Sequence, residues 1–202
     1  MKTKPPSSPE PITPEPEADS PPSRWKTLWA SQGSNIRVLA IALVVALTVR
    51  LVIAEPRYIP SNSMDPTLHI GDRLIVDKIS YRWQSPHRGD IIVFRPPSQL
   101  TQLGYGDGQA FIKRVIGEPG QTIQVTHGQV LVNSNPLTEP YLLEPPSYEM
   151  GAVTIPPDYL FVMGDNRNDS NDSHIWGVLP QTNIIGRAWL RFWPLDRLGP
   201  VG

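Results

Sequence analysis

Three hydroxyls fall within seven residues of the stretch Pro60-Ser61-Asn62-Ser63-Met64-Asp65-Pro66-Thr67. A serine hydroxyl becomes a nucleophile only when a base takes its proton, so the chemistry turns on which base is available. The chain has no cysteine, which excludes a thiol nucleophile, disulfides and Cys-based zinc sites. Four histidines are present: His69, His87, His127 and His174. His69 lies close to the serines in sequence, His87 follows Ser85-Pro86 in a turn, and His127-Gly128 reads as a hairpin tip. Only His174 sits among other polar groups, at the end of Gly164-Asp165-Asn166-Arg167-Asn168-Asp169-Ser170-Asn171-Asp172-Ser173-His174. A Ser-His-Asp arrangement through His174 is therefore one reading.

A lysine held neutral is the other. Free lysine, with a pKa near 10.4, is neutral about 4 times in 10,000 at pH 7; lowering it to about 8 raises that to roughly one in ten, at about 3 kcal/mol of lost ammonium stabilisation. Of five lysines, Lys2, Lys4 and Lys26 precede a long apolar run, leaving Lys78 and Lys113. Lys113 lies in Phe111-Ile112-Lys113-Arg114-Val115-Ile116, where strand alternation puts it on one face with Phe111 and Val115. Arg114 shares the other face with Ile112 and Ile116, and alternation alone leaves open which charge points inward. Chemistry separates them, because arginine stays protonated and cannot serve as a base. The competing reading is an ordinary strand lysine that snorkels to solvent.

These residues must be positioned by the elements around them. Residues 1–23 are rich in Pro, Ser and Glu, hold 8 of the 24 prolines, and read as disordered. A linker with Arg24, Lys26 and Arg37 follows, and its Trp25 and Trp29 suit a membrane interface. Val38 to Ala54 is a 17-residue apolar run interrupted only by Thr48 and Arg50, at the short end for a membrane span. Arg50 lies near the run's end, where it can snorkel. The basic N-terminal flank favours an inside N-terminus, against Arg57 and Arg73 on the other side. A buried core helix and a cleaved signal peptide ending at Val52-Ile53-Ala54 compete with a retained anchor.

Beyond residue 59 the pattern is β. Runs at Leu74–Val76, Ile91–Phe94, Phe111–Ile116, Thr122–Val125, Val130–Val132, Tyr159–Met163 and Ile184–Phe192 are separated by Gly, Pro, Asn and Asp. The expected fold class is all-β, a compact antiparallel domain. Residues 96–110 read as a surface loop. The expected divisions are 1–34 for tail and linker, 35–55 for a single transmembrane anchor, and 56–202 for the β domain, with 118–157 as a small cap-like excursion. A net charge of −1 over 202 residues leaves no electrostatic footprint for nucleic acid.

Taken together, these stretches resemble the type I signal peptidases, membrane-bound serine proteases that remove signal peptides. The resemblance covers Arg57 to Trp193. It is carried by the anchor, by Pro60 through Leu68, by Gly71-Asp72-Arg73-Leu74-Ile75-Val76, by Arg88-Gly89-Asp90-Ile91-Ile92-Val93-Phe94 with Phe111 through Gly117, and by Gly164 through Ser173, in that order. It implies a coiled antiparallel β-sheet fold. It also implies Ser63 as nucleophile, Lys113 as general base, and Ser61 with the backbone N–H of Ser63 as oxyanion hole. Thr67 keeps the plain reading of turn hydrogen bonding. Ser170 matches the serine that orients the lysine, and Asp172 a structural acid that pairs with an arginine in some relatives. Here that arginine position is His174, a departure, and Arg167 or Arg187 could stand in. Asp165 and Arg167 read as site-supporting, and Gly164 and Gly177 as permitting tight turns.

The resemblance implies substrates bound extended, with small residues one and three positions before the cut. The implied partners are signal-peptide-bearing preproteins and a lipid bilayer. No metal or organic cofactor, no nucleic acid and no particular oligomeric state is implied. The implied location is a plasma or thylakoid membrane, with a cytoplasmic N-terminus and the catalytic domain on the extracytoplasmic or lumenal side. A tethered domain that binds peptides without cutting them, a His174-based esterase and a self-cleaving regulator are the rival readings.

Overall fold

The structure, a computed structural model, describes residues 24–106 and 108–201. The expected disordered tail, residues 1–23, lies outside the described residues. The chain divides into a first unit over residues 1–44 and a second over residues 45–202.

Helix α1 (Arg24–Thr48) takes in the linker as well as the start of the apolar run. The backbone then widens into a five-residue π turn, Val49–Ile53, closed by the Ala54 N–H on the Val49 carbonyl, and enters strand β1 (Ala54–Tyr58). The 17-residue run expected as one span is thus divided among a helix, a π turn and the first residue of a strand. Among the described residues no helix is long and apolar enough to cross a membrane. Apolar side chains of the run are exposed nonetheless, among them Val38, Leu39, Ile41, Leu47, Val49 and Ile53, as is Ile36 just before it.

The second unit is built from antiparallel sheet. Strands β2 (Arg73–Asp77), β3 (Ile91–Phe94) and β4 (Phe111–Gly117) follow the sequence expectation, with helix α2 (Ser98–Gln102) inside the expected loop 96–110. Strands β5 (Thr122–Thr126), β6 (Gln129–Val132), β7 (Asn135–Pro136) and β8 (Met150–Thr154) form a separate four-stranded sheet in the order β7-β6-β5-β8. The β5–β6 hairpin turns at His127 and Gly128, both with positive φ, as the dipeptide suggested. Strand β9 (Tyr159–Met163), helix α3 (Ser173–Trp176), strands β10 (Leu179–Pro180) and β11 (Ile184–Trp193), and the short β12 (Gly199–Pro200) complete the unit.

The larger sheet runs β1-β2-β11-β3-β4-β9-β10, with β12 added to β11. Ten-residue β11 pairs with β2 along one edge and β3 along the other, and its register slips at irregularities within both pairings. Such irregularities bend a strand and increase its twist, which coils the sheet. Fully buried Ile116, Ile123, Phe161 and Met163 share one apolar cluster between the two sheets. A second cluster joins Ile59, Met64 and Leu68 to Leu74, Ile91 and Ala188. That cluster immobilises the loop carrying the three hydroxyls, because Met64 and Leu68 are completely buried on either side of its turn.

Candidate active site

The loop 59–72 is tied down at both ends. Ile59 N–H donates to the Asp72 carbonyl at 2.9 Å, and Asp65 N–H closes a turn on the Asn62 carbonyl at 2.9 Å. The Asp72 carboxylate accepts from Arg197 at 3.0 Å, and Arg191 donates to the Thr67 carbonyl at 2.9 Å. Ser63, immediately before buried Met64, is held with only 8% of its surface exposed. Its Oγ lies 3.4 Å from Ser61 Oγ.

Strand β4 supplies the second group. Lys113 stands opposite Ile92 and Arg114 opposite Ile91 on β3. Both charges are buried, Lys113 at 3% exposure and Arg114 at 5%, and they project to opposite faces. Each has its own solution. Lys113 Nζ donates to Ser63 Oγ at 2.7 Å, whereas Arg114 forms a two-pronged pair with Asp165 at 2.8 and 2.7 Å. Burial lowers the Lys113 pKa to about 8, against the opposing pull of Asp172 and then Asp165.

The third component is the segment after β9. Gly164 has no room for a side chain, since a Cβ there would collide with Ser170 Oγ, Ser170 Cβ and the Ser63 carbonyl. Its role is close approach rather than the tight turn expected for it; Gly177, with φ of 93°, does hold a turn. Ser170 is buried beside the Ser63 backbone, yet its Oγ has no hydrogen-bond partner among the described residues, so the bond expected to orient Lys113 is not formed. Asp172 accepts from Gly164 N–H at 2.8 Å and caps α3 through His174 N–H at 3.1 Å. Of its three candidate partners it takes His174, whose Nδ1 lies 2.7 Å away. Arg187 pairs with Asp90 instead, and Arg167 with Glu139. The His174 ring stacks on Tyr148 with centroids 4.1 Å apart.

Sequence reasoning missed four contributors. Thr67 does more than close a turn, since its hydroxyl donates to Asp165 at 2.5 Å. Arg114 is the central cation of the supporting network, a role signalled by two adjacent charges in an otherwise apolar strand, one of which needed a buried acid. Glu139 and Tyr141 sit in the polar stretch between β7 and β8 and carried no signal. Glu139 grips Arg167 through two bonds of 2.7 and 2.5 Å, and Tyr141 lies over the Arg114 guanidinium at 4.0 Å.

An open cavity of about 400 Å³ adjoins Ser63 and is lined also by Pro60, Ser61 and residues 109–113. A smaller one of about 90 Å³ shares Pro60, Ala110, Phe111 and Ile112 with it and adds Tyr58 and Val93. Strand β4 pairs with β3 from Phe111 onward, but with β9 only from Arg114 onward. The far edge of Phe111–Lys113 therefore has no strand partner among the described residues.

A buried lysine thus sits on a serine hydroxyl beside an open strand edge, on a coiled antiparallel sheet. The family described as signal peptidase, peptidase S26, matches residues 33–193. The chain is 56% identical to the protein named Probable signal peptidase I-1 of Synechocystis sp., over 90% of each chain. It is 51% identical to the Signal peptidase I of Leptolyngbya laminosa, over 96% of this chain and 90% of that one. It is 45% identical to the Probable thylakoidal processing peptidase 2, chloroplastic, of Arabidopsis thaliana, over 79% of this chain and 44% of that one. A crystal structure of a signal peptidase I from Enterococcus faecalis V583 superposes with a TM-score of 0.43 at 30% identity, over 52% of this chain and 97% of that one. The chain belongs to the peptidase S26 family and is a hydrolase, a signal peptidase I.

Proposed function

We propose that this chain is a membrane-anchored serine endopeptidase that removes signal peptides from preproteins through a Ser63/Lys113 dyad. The observation that carries the reading is the 2.7 Å contact between Lys113 Nζ and Ser63 Oγ, made by a lysine whose pKa burial lowers to about 8. Neutral Lys113 takes the Ser63 hydroxyl proton as Oγ attacks the scissile carbonyl. Ser61 Oγ–H and the Ser63 backbone N–H stabilise the resulting oxyanion. Collapse breaks the C–N bond, the Lys113 ammonium gives its proton to the leaving amine, and an ester remains on Ser63. Neutral Lys113 then takes a proton from water, hydroxide attacks the ester, and the proton returns to Ser63 Oγ.

The substrate adds an extended strand along the open edge of Phe111–Lys113. The two adjoining cavities, shallow and largely apolar, suit small side chains one and three positions before the cut. Asp165, Arg167 and Asp172 support the site without touching the reacting atoms; Ser170 Oγ, which makes no hydrogen bond among the described residues, is assigned to orient Lys113 only once substrate is bound. The exposed apolar side chains of residues 36–53 support an anchor in the bilayer. A Synechocystis signal peptidase and an Arabidopsis thylakoidal processing peptidase among the relatives support a plasma or thylakoid membrane.

The test is cleavage of a purified preprotein in detergent near pH 8 by the wild type, Ser63→Ala and Lys113→Met. The expected result is a cut after the signal peptide by the wild type alone, with both variants folded. A Lys113→Met enzyme that still cuts would transfer the base to His174, and a wild type that binds without cutting would favour the peptide-binding rival.

A further inference from the structure

Glu139 lies in the connection between β7 and β8, 28 residues before the arginine it binds. Nothing in its surroundings reacts, yet its carboxylate is only 6% exposed and accepts from three donors. Two come from Arg167, which is itself completely buried, and the third is the Tyr141 hydroxyl at 2.7 Å. From each partner a chain of contacts runs to the site. Arg167 Nε donates to the Gly164 carbonyl at 3.1 Å, and the Gly164 N–H donates to Asp172 at 2.8 Å. Tyr141 covers Arg114, which grips Asp165 with two bonds. The two routes end on Asp172 and Asp165, the two acids whose charge acts on Lys113.

We propose that Glu139 is a positioning residue for the proteolytic reaction, and that residues 139–141 form a strap. The strap fixes Asp165 and Asp172, and through Gly164 the Ser63 backbone, around Lys113. A buried ion pair gives little net stability over an apolar pair of the same shape, because desolvation offsets the attraction. Breaking it by removing one partner leaves a buried unpaired charge, and the segment holding that charge must move. Here that segment is 164–170, which packs against the Ser63 carbonyl. The charges that act on Lys113 are those of Asp172, which holds His174, and Asp165, which holds Arg114; Arg167 with Glu139, Tyr141 over Arg114 and Tyr148 over His174 lie one contact further out. Strand β3 sets only Ile92 opposite Lys113, and β9 is apolar where it meets β4. With the strap cut, both acids loosen and the freed Arg167 competes for them. The upward pull on the lysine weakens, and its neutral form persists to lower pH.

The inference rests on the Ser63/Lys113 reading, so the experiment carries Lys113→Met alongside Glu139→Gln, Glu139→Asp and Tyr141→Phe in the full-length enzyme. kcat and KM for a preprotein are measured from pH 6 to 10, with folded fraction followed by circular dichroism. The expected Glu139→Gln enzyme is folded and loses kcat by on the order of tenfold to a hundredfold, the scale of a sub-ångström to ångström misplacement. Its KM stays near that of the wild type, and the acid limb of its kcat profile moves to lower pH. Glu139→Asp, which keeps the charge, recovers part of both effects, and Tyr141→Phe moves both in the same direction by less. If Glu139→Gln does not fold, the last two variants decide by the same readout. Wild-type kcat and an unmoved limb, with Lys113→Met inactive, would overturn the strap alone. Activity retained in Lys113→Met would overturn the dyad reading and the strap with it.

Discussion

Lys113 Nζ and Ser63 Oγ meet at 2.7 Å although fifty residues separate them in the chain. One stands on the stretch of β4 that β9 leaves unpaired and the other on a loop pinned by Met64. The contact is made by an amine whose pKa burial lowers to about 8. The rate should therefore depend on the fraction of neutral lysine in the free enzyme. We expect kcat/KM for a preprotein to climb about tenfold per pH unit below the Lys113 pKa and to level above it. A pH-rate profile from 6 to 10 checks this. A limb that survives in Lys113→Met and is abolished in His174→Gln would instead identify a histidine base.

The same burial predicts a stability effect with a definite sign. The folded Lys113 pKa is about 8 and the ordinary lysine value is 10.5, so between those values the unfolded chain binds more protons. Stability then rises with pH across that window, and below it the protonated lysine costs roughly 3 kcal/mol at most. Lys113→Met removes the cost. The variant should be more stable than the wild type at pH 7, by about 1–3 kcal/mol, with the advantage fading toward pH 10. Denaturant unfolding of both proteins at pH 7 and pH 10 measures it. A variant less stable than the wild type at pH 7 would mean that the ammonium is well solvated in the folded enzyme.

Much of this site was legible because its parts lie in short-range patterns. β-branched runs marked β3, β4 and β9, and elimination among five lysines left Lys78 and Lys113 as the lysines that could serve as a base before any geometry. Strand β1 was not legible, because Ala-Glu-Pro-Arg-Tyr has no alternation and contains Pro56. Its place at the sheet edge is where a proline costs no ladder bond. Strand β8, at the edge of the second sheet, carries Gly151 and was missed for a related reason. The partners of Arg114 and Arg167 could not be read either. Each lies 28 or more residues away, and nothing local in Glu139 or Asp165 says which cation it will meet.

The Arg114–Asp165 pair should be structurally costly to break. Its side chains are 6% and 0% exposed, and Thr67 and Tyr141 complete its surroundings. Removing the acid leaves a buried guanidinium with the Gly89 carbonyl, the Thr67 hydroxyl and the Tyr141 ring as its remaining contacts. Asp165→Asn is expected to destabilise the folded enzyme by about 3–5 kcal/mol. Arg114→Lys should cost less in stability but lose the two-pronged geometry. Chemical denaturation of both variants beside the wild type is the measurement, and a loss below about 1 kcal/mol in Asp165→Asn would show the pair to be solvent-relaxed.

At Gly164 the Ser63 carbonyl and the Ser170 side chain leave no room for a Cβ. A methyl group there would meet Ser170 and the Ser63 carbonyl at once, and neither can retreat, since Ser63 is fixed by Met64 and the 164–170 segment by Arg167. Overpacking of this kind costs about 1–3 kcal/mol. Gly164→Ala should therefore lower the thermal midpoint modestly while lowering kcat far more, on the order of a hundredfold, because displacing Ser63 by about 1 Å misaligns it with Lys113. Thermal unfolding and single-turnover cleavage of the same preparation separate the two effects. A variant that loses stability but retains wild-type turnover would show that the segment yields away from Ser63, and that the contact at Gly164 serves packing rather than alignment.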